Sequence, residues 1–201
     1  MPLPEFQAEL TRKGSGVLYS TILFIAGQPL ANTNFNFFSY GQNQLPLGFA
    51  AGTVATDCET NLRGQGGTIP GQLAFVADGV SLNYSNFTAR APVSSADLHN
   101  LIDNGVVLGW SYQDTDTIMI APTAQIPGGA GLQGVAGTNG GIASEINTGP
   151  GMLKFPRPVP INPLQTFGIR IRFPASASLV VVSTAIRCTL YGTYQTAVAA
   201  G

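Results

Sequence analysis

Between Gln165 and Pro174 the chain reads QTFGIRIRFP, and no other stretch limits its fold so strongly. Phe167, Ile169, Ile171 and Phe173 fall on one side of an extended backbone, and Gly168, Arg170 and Arg172 fall on the other. That period-two alternation is the pattern of a half-buried strand in an antiparallel sheet. A sheet with one apolar face needs a second layer to cover it. Pro174, which cannot donate to a strand ladder, ends the segment.

The same pattern continues in AIRCTLYGTYQ, where Ile186, Cys188 and Leu190 alternate with polar neighbours. Val17–Ile25 and Thr33–Tyr40, rich in β-branched and aromatic residues and parted by Gly27-Gln28-Pro29, predict two more strands. Shorter runs predict strands at Leu73–Val76, Val80–Tyr84, Val106–Tyr112 and Thr117–Ala121, with Leu179–Val182 as a further candidate. One helix is expected in SSADLHNLIDNG: Ser94 or Ser95 caps it, Asp97 sits in its first turn, and Gly105 closes it. Leu98, Leu101 and Ile102 form its apolar stripe. About eight strands, one short helix and long glycine-rich connections imply an all-β sandwich, a single jelly roll rather than a tight meander. Without an internal repeat or a linker, residues 1–201 read as one domain, with residues 1–15 as an N-terminal arm.

Composition narrows the function. The chain is 44% hydrophobic, with 25 glycines and 14 prolines, and only 9% of it is charged, against roughly 25% in a typical soluble protein. It is too apolar to be disordered, and its apolar runs, such as Val17–Ala26, fall short of the ~20 residues of a membrane span. The net charge is −1, and MPLPEFQAELTRK sets Glu5 and Glu9 against Arg12 and Lys13, so a polybasic nucleic-acid arm is not expected. That start lacks the basic-then-apolar order of a signal peptide. The expected compartment is a cytosol, where Cys58 and Cys188 stay reduced. Cys188, in phase with Ile186 and Leu190, reads as a buried thiol, although a Cys58–Cys188 bridge stays open. A surface this poor in charge has little self-repulsion to keep copies apart.

Chemistry-bearing constellations are sparse. GGAGLQGVAGTNGG, Gly128–Gly141, holds one G-x-G-x-x-G at Gly129, Gly131 and Gly134. A dinucleotide site needs a strand before it and a helix starting at its last glycine. Pro127 precedes it, and the glycine density behind it cannot start a helix, so it reads as a surface loop that binds no nucleotide. His99 is the sole histidine, too few for a histidine-based metal site or a Ser–His–Asp triad. Asp114-Thr115-Asp116 resembles a metal pair but is a simpler fit to a turn. Asn83-Tyr84-Ser85 and Asn86-Phe87-Thr88 match the glycosylation sequon, which carries no weight without secretion. Trp110 and Tyr112 read as core rather than as a sugar-stacking platform. Arg170 and Arg172, with Arg187 near them, are the one basic cluster: a solvated strand face, or a contact with an acidic partner or neighbouring subunit. No catalytic, cofactor-binding or metal-ligating set is assigned.

Three segments together resemble the jelly-roll capsid proteins of icosahedral phages and viruses, including the internal-membrane types. These are TNLRGQGGTIPGQLAFVADGVSL, in which a glycine-rich loop leads into paired strands; PRPVPINPLQTFGIRIRFPA, an extended proline segment feeding a long strand; and the final AIRCTLYGTY. The resemblance implies a structural virion protein, made in a host cytoplasm, that assembles with copies of itself and other virion proteins. It also implies contact with an internal membrane. The alternative expectation is a trimeric jelly-roll adhesin or receptor-binding module of the phage fibre-head type.

Overall fold

A computed structural model describes residues 10–63, 65–71, 73–86, 95–103, 105–112, 118–126 and 151–197. Among the described residues, eight strands carry the fold: β1 Leu10–Phe24, β2 Asn34–Phe37, β3 Leu73–Asn86, β4 Val107–Tyr112, β5 Ile118–Pro122, β6 Leu153–Ile161, β7 Phe167–Arg172 and β8 Thr184–Ala197. They form two four-stranded sheets, ordered β1-β8-β3-β6 and β2-β7-β4-β5. Every pairing within them is antiparallel.

The pairs β1·β8, β2·β7, β3·β6 and β4·β5 are nested, as if one long hairpin had been folded and then rolled so that alternate pairs lie in opposite sheets. That connectivity is the jelly roll. The core lies between the sheets. Phe167, Ile169, Ile171 and Phe173 face inward from the β7 segment, and Ile186, Cys188 and Leu190 from β8; all seven are buried. The predicted register is therefore correct at both places. Phe24, Phe35 and Phe173 pack edge to face across the interior, the geometry that aromatic quadrupoles favour.

Several elements differ from expectation. Leu73–Val76 and Val80–Tyr84 are one strand, not two. Its register shifts between Ala77 and Gly79, so the buried side chains step from Phe75 and Ala77 to Val80, Leu82 and Tyr84. A bulge inserts one residue and inverts the phase, which makes one strand look like two short ones. Gly192, opposite Ala77, has no room for a side chain: a Cβ there would overlap the Val76 carbonyl oxygen. Pro156–Ile161, read only as part of an extended proline segment, belongs to strand β6. Pro160 stands opposite Val76, whereas Pro156 and Pro158 fall in the irregular stretch between Val159 and Lys154 where β6 keeps no register with β3; an outermost strand tolerates prolines because it has a ladder on one side only.

Leu179–Val182 makes only an isolated bridge, from Leu179 to Pro29. The helix is one α-turn, Ser95–Leu98, followed by a π-turn, His99–Asp103, and Gly105 follows at φ 73° as the predicted C-terminal stop. Residues 10–15, expected in an arm, are already strand: Leu10 to Ser15 pair with β8.

The free edge of β1 is covered by the long β2–β3 connection. Tyr19 N donates to Asn61 Oδ1 (2.9 Å), Thr21 N to the Tyr40 hydroxyl (3.2 Å) and Leu23 N to Leu47 O (3.1 Å). Over Tyr19–Leu23 the alternate outward amides are thus satisfied, which removes that stretch as a template for non-specific strand pairing.

Candidate functional site

Two features stand out on the surface. The first is at the sandwich end where the β1–β2 and β7–β8 connections meet. Gly27 N donates to Val180 O (2.7 Å), Val180 N to Gln28 O (3.1 Å) and Ala26 N to Ser183 Oγ (3.1 Å). From below, the buried Asp97 carboxylate accepts from Val181 N (2.7 Å) and Val182 N (2.8 Å). The short helical turn therefore serves as a clamp on a loop 84 residues further along the chain. The clamped backbone holds three large apolar side chains in solvent: Ile25 (50% exposed), Leu179 (56%) and Val181 (57%). The other exposed large apolar residues among those described are Leu45, Leu47 and Val54 in the β2–β3 connection and Leu164 in the β6–β7 turn. None stands on the outer face of a sheet.

The second feature is a groove of about 350 Å³ on the outer face of the β1-β8-β3-β6 sheet. Strand register builds it. Thr21, Arg187 and Asn83 form one cross-strand row, and Thr189 and Ser81 belong to the next. Tyr191 and Ser85 close its two ends along β8 and β3. Arg187 is fixed three ways: Nε donates to Thr21 Oγ1 (3.1 Å), a terminal nitrogen donates to the Cys58 carbonyl oxygen, and the guanidinium lies 5.2 Å from the Tyr19 ring centroid. The acceptors of both hydrogen bonds are neutral.

The expected basic cluster is divided. Arg170 and Arg172 point outward from β7, and Arg187 points outward from β8 in the opposite sheet, so the sandwich core separates them. Arg170 Nε donates to Asn36 Oδ1 (2.9 Å), and Arg172 is exposed. The sequence places all three correctly on outward faces but cannot say that the two strands belong to different sheets.

Cys58 is exposed, Cys188 is buried, and both are free thiols, so no Cys58–Cys188 bridge forms. Trp110 is core, packed edge to face on Phe155 and stacked on Phe167, as expected. Asn83 is exposed beside the groove, and His99 opens the π-turn. Asp114-Thr115-Asp116 and Gly128–Gly141 lie outside the described residues. Among the described residues no cluster of His, Cys, Asp and Glu could hold a metal ion, and no helix is long and apolar enough to cross a membrane.

Sequence reasoning passed over two working groups. Asp97 read as a first-turn helix acid, whereas its carboxylate caps a distant loop. Ser81, Thr189 and Tyr191 carry no reading from the sequence, and Asn83 and Ser85 only that of a sequon, although SLNYS and RCTLY already place neutral hydrogen-bonding groups at alternate positions. No family model matches this chain, and neither the curated proteins nor the solved structures include a match to it.

Proposed function

We propose that the chain is a structural virion protein, a capsid or shell subunit that self-assembles into a closed lattice. A jelly roll serves many functions, so the reading rests on surface chemistry. The observation that carries it is the placement of the exposed apolar residues: Leu179 and Val181 stand on a connection clamped by Asp97, and Ile25 stands on the β1–β2 connection bonded to it, while the sheets' outer faces carry polar groups and few charges. Apolar groups on a pre-ordered backbone bury at little cost in loop entropy. A closed symmetric shell reuses one such surface many times. Partners would be copies of this chain and other virion proteins, and its location the virion.

Analytical sedimentation and electron microscopy across a concentration series test this. The expected result is capsomers or closed particles whose formation depends weakly on salt, because few charges take part. Joint replacement Leu179→Asp and Val181→Asp should leave the monomer folded and raise the concentration needed for assembly at least about tenfold, through desolvated like charges. Wild-type protein that stays monomeric throughout, with no partner in its native particle, ends this reading. Arrest at a trimer would favour the receptor-binding alternative.

A further inference from the structure

The groove on the β1-β8-β3-β6 sheet has a chemical character that assembly does not use. Surface arginines are ordinarily mobile, and ordering such a side chain costs rotamer entropy. Arg187 is nonetheless held by Thr21, the Cys58 carbonyl and the Tyr19 ring. Neither hydrogen-bond acceptor neutralises its charge, and among the described residues no carboxylate lines the groove beside it. The remaining lining is hydroxyl and amide: Ser81 is buried and bonded to the Tyr191 hydroxyl (3.3 Å), while Asn83 and Ser85 are exposed.

An oriented guanidinium matches a carboxylate or sulfate through paired N–H donors. Rows of hydroxyls match a ligand that is itself rich in hydroxyls, since each can donate or accept. At about 350 Å³ the groove is near the lower limit of about 300 Å³ for small-molecule sites, a size for one or two sugar rings. An apolar peptide segment would strip water from these hydroxyls without replacing their hydrogen bonds, which is unfavourable.

We propose that this groove binds a saccharide carrying one acidic group, with the acid on Arg187 and sugar hydroxyls on Asn83, Ser85 and Thr189. The inference is independent of shell formation and would stand if the chain did not assemble.

Calorimetric and NMR titration of the full chain tests it, using glucuronate-containing, sialic-acid-containing and sulfated oligosaccharides beside their neutral parents. The first two probe a carboxylate and the third a sulfate. At least one acidic class should saturate the protein, bind at least tenfold more tightly than its neutral parent, and weaken as salt rises. Arg187→Gln should reduce binding at least tenfold. Because Arg187 also anchors the connection at Cys58, Ser85→Trp fills the groove without touching that anchor and should abolish binding with the thermal melt unchanged. Arg172→Gln, on the opposite sheet, should bind as wild type. The proposal is overturned if no acidic saccharide saturates at millimolar concentration, if a neutral parent binds equally well, or if Ser85→Trp binds normally. It is equally overturned if Arg187→Gln alters sedimentation while saccharide binding is unchanged, which would assign the guanidinium to a protein contact.

Discussion

Cys188 and Tyr84 face the core from neighbouring strands, and burial pushes both the thiol and the phenol well above their ordinary pKa values; the nearby Cys188 adds to the shift of Tyr84. Burial likewise raises the Tyr40 phenol, partly offset by its hydrogen bonds. In the unfolded chain a thiol loses its proton from about pH 8.5 and a phenol from about pH 10. The folded chain keeps these protons, so the unfolded state is the one favoured as pH rises. Stability from these groups is thus fully present below about pH 8.5 and declines above it, by up to about 1.4 kcal/mol per pH unit for each group past its unfolded value. Denaturant midpoints measured from pH 7 to 10.5 should fall first through Cys188 and then through the tyrosines. Cys188→Val should flatten the first part of the decline, and an undiminished slope in that variant would contradict the assignment. The burial of Cys188 was legible from its phase with Ile186 and Leu190. That Tyr84 buries its hydroxyl without a partner among the described residues was not, because NYS reads equally as a glycosylation sequon.

At the scale of elements, period-two alternation was enough for β7 and β8, where each strand has one apolar face and no irregularity. It was misleading in β3 and β6, where the backbone departs from a regular ladder. The bulge in β3 inverted the phase and divided the strand in two. The prolines of β6 suppressed a strand that tolerates them only because it is outermost. In the helical turn, local rules gave the stop at Gly105 but not the role of Asp97, whose partners are distant in sequence. That role makes a prediction. Asp97→Ala leaves the part-buried Val181 and Val182 amides without their carboxylate, a loss of about 1 kcal/mol, at the low end for groups left unsatisfied because water can reach them. It also loosens the backbone under Leu179 and Val181. Denaturant titration should show the stability loss, and sedimentation should show weaker assembly although Asp97 itself is buried. Unchanged values in both measurements would mean that the connection is ordered without the clamp.

For the molecule as a whole, the nested order is what no local pattern could supply: alternation says that a strand has an inner face, not which strand lies beside it. Here β1 pairs with β8, so Leu10 meets Ala197, and β8 lies between β1 and β3 at the centre of its sheet. Every one of the outer nested pairs joins segments far apart in the chain. The entropy of closing those loops must be met before the contacts that repay it have formed, and topologies dominated by such pairings fold slowly. Refolding from denaturant should therefore occur on the order of a second rather than in microseconds. Trp110, the sole tryptophan and only 7% exposed, reports it: its environment in β4 is completed by Phe167 of β7 and Phe155 of β6. A chain ending before Thr184 lacks the central strand, leaving β1 and β3 with unpaired facing edges. It should show no cooperative unfolding transition and should aggregate through those edges. Sub-millisecond recovery of the Trp110 signal, or a cooperative transition in the truncated chain, would show that the β2-β7-β4-β5 sheet and its loops fold as a local unit, and that the nested pairing is not what limits the rate.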